Sequence, residues 1–310
     1  PKGSKDFYDF LIEKGFKKDI LIKSGLFIEG KSFFSRFNGR IVFPIFSLSG
    51  RVLGFGGRIL VDQKKSAKYI NSPETLIYQK SKTLYGIHLA KTEIIKKDNC
   101  YLVEGYLDVM ALHQKNISNV VASSGTALTV DQVRVVKRFT NSITILFDAD
   151  AAGLAATYRA IDVALSQDMF INIITLPKGQ DPDSFCNTHE EENIKNYFDH
   201  NKKDFISFMY HVISKDLQSP EKKIKLVKRV IKSIALVPDL TNRTIYLQEA
   251  AKILNLDIQF LIKDLDKVLK KTNSKKEKLN NNDKDQENIK PCQEEKFLFK
   301  LLLNHGEKYI

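Results

Sequence analysis

The sequence predicts an α/β protein in three stretches: a mixed α+β N-terminal subdomain, a central, largely parallel sheet flanked by helices, and a C-terminal helical subdomain. Three observations carry that prediction. Short apolar runs broken by Gly and polar turns fill the first ninety or so residues. From about residue 100, an apolar run, a turn and an amphipathic segment recur in that order. From about residue 190 the strand-like runs stop and helical spacing takes over. The expected divisions are 1–95, 96–189 and 190–271, then a linker over 272–295 and a restarted apolar pattern over 296–310.

Within the first stretch, Arg40 to Phe46 and Arg51 to Val61 flank a turn at Ser49-Gly50 and read as a hairpin. The run Gly54-Phe55-Gly56-Gly57 lacks the third glycine of a dinucleotide fingerprint and reads as a strand that another group approaches closely. In the second stretch, strands are expected at Cys100 to Val103, Asn119 to Ala122, Ser142 to Phe147 and Phe170 to Leu176. Helices are expected at Tyr106 to Lys115, Thr129 to Phe139 and Ala151 to Ser166. In the third, Ser219-Pro220-Glu221 supplies an N-cap, a first-turn Pro and an early acid, and Ile224, Val227, Ile231 and Ile234 mark one buried helix face. The lysines of 222–232 read as the solvated side of that helix. Further helices are expected at Thr241 to Leu254 and Asp257 to Lys271, whereas 272–295 has almost nothing apolar.

Composition narrows the function classes. With 310 residues, 43% hydrophobic and 28% charged, the chain can bury a core, and wholesale disorder is excluded. No run approaches the length of a membrane span and Pro1 to Asp9 has no signal-peptide core, so a cytoplasmic protein without membrane contact is expected. Cys100, Cys186 and Cys292 stand too far apart for a zinc clip, and the six histidines show no ligand spacing. The initial Pro and the helix-like final residues lead us to expect a fragment of a longer protein.

Charge is distributed unevenly along the chain, whose net charge is +12. Residues 31–80 hold nine Lys and Arg against two acids, a candidate phosphate-binding surface. Residues 104–183 hold nine acids against six bases. Ligands of parallel sheets bind beyond the C-terminal strand ends, and there the acids gather: Glu104 and Asp108, Asp148 and Asp150, Asp181 and Asp183. One such acid could be an ordinary helix cap, but so many at neighbouring strand ends call for hard divalent cations. An EF-hand calcium loop is excluded, because its fifth position would be Ala152 and its twelfth Arg159.

The series Glu104-Gly105-Tyr106-Leu107-Asp108, Asp148-x-Asp150-x-Ala152-Gly153 and Asp181-Pro182-Asp183 resembles the TOPRIM motif set, specifically that of bacterial replicative DNA primases of the DnaG type. Upstream, Arg40 to Ile45, Gly54 to Arg58, Lys68 to Thr75 and Leu84-Tyr85-Gly86 resemble the markers of that family's own N-terminal polymerase subdomain. Leu107 stands where Met is common and Ala149 where Gly is common; the carboxylates remain in place.

The resemblance implies nucleotidyl transfer that joins ribonucleoside triphosphates into a short RNA primer on a single-stranded DNA template. It implies Glu104, Asp148 and Asp150 as catalytic residues, and these with Asp108, Asp181 and Asp183 as ligands of Mg²⁺, with Mn²⁺ the alternative ion. Arg40, Arg58, Lys68 and Lys80 would hold template or triphosphate phosphates. It further implies a zinc-binding domain outside this chain, a replicative helicase as partner through a domain only beginning after residue 295, and a monomer. Three alternatives stand beside it. A TOPRIM topoisomerase or nuclease shares the acids, a haloacid-dehalogenase-type phosphatase would use Asp148 as nucleophile, and a non-catalytic DNA-binding module would use only the basic block.

Overall fold

The computed structural model describes residues 4–28, 34–61, 66–125, 127–148, 150–214 and 219–271. The expected linker over 272–295 and the apolar restart over 296–310 lie outside the described residues, as do Lys31, Lys64, Lys65, Ala149, Cys292 and His305. Residues 1–256 form one compact unit, and a second begins at Asp257 with a helix over 258–271.

Two helices, α1 (Ser4–Glu13) and α2 (Lys18–Lys23), precede a small hairpin of β1 (Phe27–Ile28) and β2 (Phe34–Ser35). The hairpin read around Ser49-Gly50 is β3 (Arg40–Phe46) paired antiparallel with β4 (Val52–Ile59). The other edge of β4 takes β5 (Tyr69–Asn71). Phe43 and Ile45 share one face of β3 and are buried, whereas Ile41, nearer the start of that same face, and Val42, on the other face, stay exposed. A 3₁₀ turn at Lys80–Lys82 leads to α3 (Ile87–Lys97).

Next comes the βα succession: β6 (Cys100–Val103), α4 (Tyr106–Gln114), β7 (Val120–Ala122), α5 (Val130–Lys137), β8 (Ser142–Ile145), α6 (Ala151–Ser166) and β9 (Phe170–Ile174). These four strands are parallel, and the sheet runs β10-β9-β8-β6-β7 once its edge strand is added. Val103, Val120, Val121, Ala122 and Ile145 are fully buried, as continuous apolar strands in a parallel sheet must be. Helices α7 (Pro182–Thr188) and α8 (Glu191–Asn201) follow.

One expectation is corrected here: strands do not end near residue 190. β10 (Lys202–Asp204) pairs antiparallel with β9, and Lys-Lys-Asp gives no apolar alternation by which to find it. A short charged strand suits a sheet edge, where it discourages pairing with other chains.

The remaining helices of the first unit are α9 (Phe205–Ser214), α10 (Pro220–Ile234) and α11 (Leu240–Leu254). α10 starts at the expected Pro, but its buried face is rotated from the one expected. Leu226, Val227, Val230, Ile231 and Ile234 are buried, and Ile224 is 53% exposed. The cause is tertiary: α10 packs against α6, where Arg229 pairs with Asp162 at 2.9 Å and Ser233 donates to the same carboxylate. Arg229 therefore departs from the solvated charge row around it. Among the described residues no helix is long and apolar enough to cross a membrane.

Candidate active site

The N-terminal sheet and the parallel sheet meet at Tyr106, the first residue of α4. Its ring stacks on Phe43 at 5.3 Å and meets Tyr85 edge-on at 4.6 Å. Gly56 makes room for it, because a Cβ there would lie 2.5 Å from the ring. The close approach expected of the glycine-rich strand is thus made by an aromatic side chain. The Tyr106 hydroxyl donates to Asn71 Oδ1 at 2.6 Å, and Asn71 Nδ2 donates to the Ser124 carbonyl at 2.9 Å. Tyr85 adds two backbone hydrogen bonds with Ala122 of β7.

This joint brings the basic and acidic segments into one cleft of about 720 Å³. Arg58, Lys68, Tyr69, Asn71 and Lys80 line it from the N-terminal segments; Glu104, Asp108, Asp148, Asp181 and Asp183 line it from the parallel strand ends. Lys80 is held there by the fully buried Gln132, whose Nε2 donates to the carbonyls of Lys80 and Thr83.

The acids differ in environment. Burial first, then Asp148 and Asp150, raises the pKa of Glu104. Burial, then Asp181 and Asp150, raises that of Asp148. Asp108 is pushed up to about 7 by burial and further by Asp148 and Asp181, against the stabilising Gly105 N–H, which donates to its Oδ2 at 2.8 Å. Burial also opposes ionisation of Asp181, but hydrogen bonds from Ser184 outweigh it, with help from Lys68, and hold that carboxyl below its ordinary value. Asp181 caps α7 and Asp150 caps α6, where it accepts the Gly153 N–H at 2.7 Å. Asp183 accepts from Asn187 at 3.0 Å.

Gly153 is required by contact rather than by dihedral freedom. A Cβ there would sit 2.2 Å from the Asp148 carbonyl oxygen, so glycine lets α6 begin directly beneath the acid-bearing strand end.

The donor set fits a hard divalent cation. Glu104 Oε1 is buried with no hydrogen-bond partner among the described residues, and burial with mutual repulsion raises the pKa values of Glu104, Asp108 and Asp148. Among those residues no three potential ligands converge closely enough to enclose an ion. A cation such as Mg²⁺ tolerates this, since it keeps several waters and takes one or two carboxylates together with substrate phosphates.

Not every expected residue lines this cleft. Arg40 turns its guanidinium to backbone carbonyls, with Ala67 O at 2.9 Å, and ties β3 to the segment entering β5. Asp150 lines a smaller neighbouring pocket of about 320 Å³ together with Asp148. The residue reading missed Tyr69, Asn71, Ser124 and Arg159, all of which line the main cleft. Tyr69 and Asn71 stand inside the Lys68 to Thr75 segment already singled out. Arg159 was legible only as the end of the helical series Ala152, Ala156, Arg159.

Comparison with known proteins finds three family matches. The DNA primase catalytic core N-terminal domain matches residues 1–91, a Toprim-like domain 101–186, and the DnaB-helicase binding domain of primase 208–259. A DNA primase domain structure from Pseudomonas aeruginosa is 30% identical, with 82% of this chain and 83% of that one covered and a TM-score of 0.72. A DnaG primase catalytic domain bound to ssDNA is 32% identical, with 80% of each chain covered and a TM-score of 0.70. The chain belongs to the bacterial DnaG-type DNA primase family.

The DNA primase of Clostridium acetobutylicum is 34% identical over 98% of this chain. The chain spans about half the length of that relative, 51% of it. The primase N-terminal match over 1–91 separates the primase reading from the topoisomerase, nuclease and phosphatase alternatives, which share only acids. Divalent-metal use is general to Toprim domains and to DnaG-type primases. The helicase-binding match falls on α9 to α11 and the start of the second unit.

Proposed function

We propose that this chain is the catalytic core of a DNA primase, joining ribonucleoside triphosphates into RNA primers on single-stranded DNA with release of pyrophosphate. The observation that carries the proposal is the single cleft in which Arg58, Lys68 and Lys80 face Glu104, Asp148, Asp181 and Asp183. The cations suit the phosphates of template and triphosphate; the carboxylates suit metal-assisted transfer at a phosphoryl group.

Mg²⁺, with Mn²⁺ as the alternative ion, would be held by Glu104, Asp148 and Asp150 with Asp108, Asp181 and Asp183, and would acidify the primer 3′-hydroxyl and neutralise the leaving pyrophosphate. Glu104, with its raised pKa and unpaired Oε1, is the acid best suited to receive that hydroxyl's proton. Arg58, leaning over the Tyr69 ring at 5.9 Å, is presented to the cleft for bidentate contact with phosphate. Arg40 supports the segment carrying Lys68 and acts on phosphates through it.

We retain the division at 1–95, 96–189 and 190–271, a cytoplasmic monomer, and a zinc-binding domain outside this chain as parts of this reading. A replicative helicase partner is supported by the match at residues 208–259.

The test is incubation of the chain with single-stranded DNA, labelled ribonucleotides and Mg²⁺. Wild type is expected to make short RNA, and Asp148→Asn and Asp150→Asn to make none while still folding. Near-normal synthesis by both variants rejects the assignment.

A further inference from the structure

Arg159 is the cleft cation left without a role. Other arginines of the parallel-sheet region and its helices are engaged: Arg134 pairs with Asp131, Arg229 with Asp162, Arg243 donates to the Val237 carbonyl, and Arg138 lies over the Phe139 ring. Arg159 is exposed on α6, lines the main cleft, and has no hydrogen bond or ion pair among the described residues. It lines the same cleft as Arg58, Lys68 and Lys80 but comes from the helix that follows the Asp148–Asp150 strand end.

Its position on α6 selects the ligand. Arg159 is nine residues beyond the cap Asp150, about 13 Å along the axis at roughly 1.5 Å per residue. Even if the side chain leans one turn toward the N-terminus, about 5 Å, its guanidinium stays about 8 Å from the acid-bearing end. Between them the helix presents Ala152 and Ala156 to the cleft, leaving no long side chain in the way. A nucleic-acid strand rises about 3.4 Å per phosphate, so the guanidinium falls two to four nucleotides from the reacting phosphate.

From this placement we infer that Arg159 binds a backbone phosphate of the primer–template duplex two to four nucleotides behind the point of transfer. This inference rests on the polymerase reading above. The triphosphate is the competing ligand. Its reacting phosphate must lie at Glu104 and Asp148, and Arg58, Lys68 and Lys80 already line the cleft for its other phosphates.

The experiment measures binding of a labelled primer–template to the full 310-residue chain across a salt series, without turnover, for wild type, Arg159→Gln and Arg159→Lys. Arg159→Gln is expected to weaken binding several-fold whatever the sequence, and to reduce the slope of log K against log salt by about one. Arg159→Lys should recover the slope. The ribonucleotide KM for extension should stay within twofold in both variants. An unchanged slope in Arg159→Gln overturns the inference, as does a raised ribonucleotide KM with unchanged duplex binding. Extension by wild type in the same buffer reports on the polymerase reading separately, since the salt slope needs no synthesis.

Discussion

Tyr106→Phe isolates the joint that aligns the two walls of the cleft. Phe keeps the stack on Phe43 and still fills the notch at Gly56, so only the hydroxyl donated to Asn71 at 2.6 Å is lost. A hydrogen bond of this kind contributes a net 0.5–1.5 kcal/mol or so, and an acceptor left fully dry would cost about 1–3 kcal/mol. Asn71 is only half-buried and lines the cleft, so water can reach its freed Oδ1 and the lower range applies. The expected loss is about 1–1.5 kcal/mol, which lowers Tm by roughly 2–6 °C in a unit of this size. Asn71→Ala should cost more, because it also removes the donor to the Ser124 carbonyl. The assay is a double-mutant cycle by urea and thermal denaturation of the wild type, the two single variants and the double variant. The double variant should fall short of additivity by about 1 kcal/mol. Primer extension should fall more than single-stranded DNA binding does, since the basic wall survives while its register to the acids loosens. Strict additivity of the two substitutions would refute the reasoning.

Gly153→Ala should push the start of α6 away from the Asp148 carbonyl, costing about 1–3 kcal/mol as overpacking and more than tenfold in primer synthesis; normal synthesis would mean that spacing is unimportant. In metal-free buffer, wild-type stability should fall as pH rises from about 4 to about 7. The folded state keeps the Asp108 proton up to about pH 7, the unfolded state loses it near 3.8, and above both values the dependence levels off. Asp108→Asn should lessen that fall and raise Tm at pH 8 in metal-free buffer, and a Tm indistinguishable from wild type there would count against it. Arg58→Gln should weaken single-stranded DNA binding in fluorescence anisotropy more than Arg40→Gln does, and Arg40→Gln should show the larger loss in denaturation, about 1 kcal/mol; the reverse ranking would return Arg40 to the phosphate-binding wall.

What the sequence by itself determined lies where local rules are strong. The βα succession from Cys100 to Ile174 followed from its short, largely apolar runs and the turn residues between them, because each buried parallel strand needs such a run and a break before the helix that covers it. Ser219-Pro220-Glu221 marked the start of α10, and the acids at strand ends were legible because that is where such sheets bind ligands. Tertiary structure decided whatever depends on a partner distant in sequence. β10 has no pattern of its own and exists because β9 offers an open edge. The buried face of α10 is set by α6, which draws in Arg229 and leaves Ile224 in solvent. Arg40 and Arg58 are both cations on adjacent strands, yet one is taken up by carbonyls of its own sheet and the other faces the cleft. Arg159 lies far in sequence from the basic block, and only the folding of α6 brings it to the cleft that Arg58, Lys68 and Lys80 line.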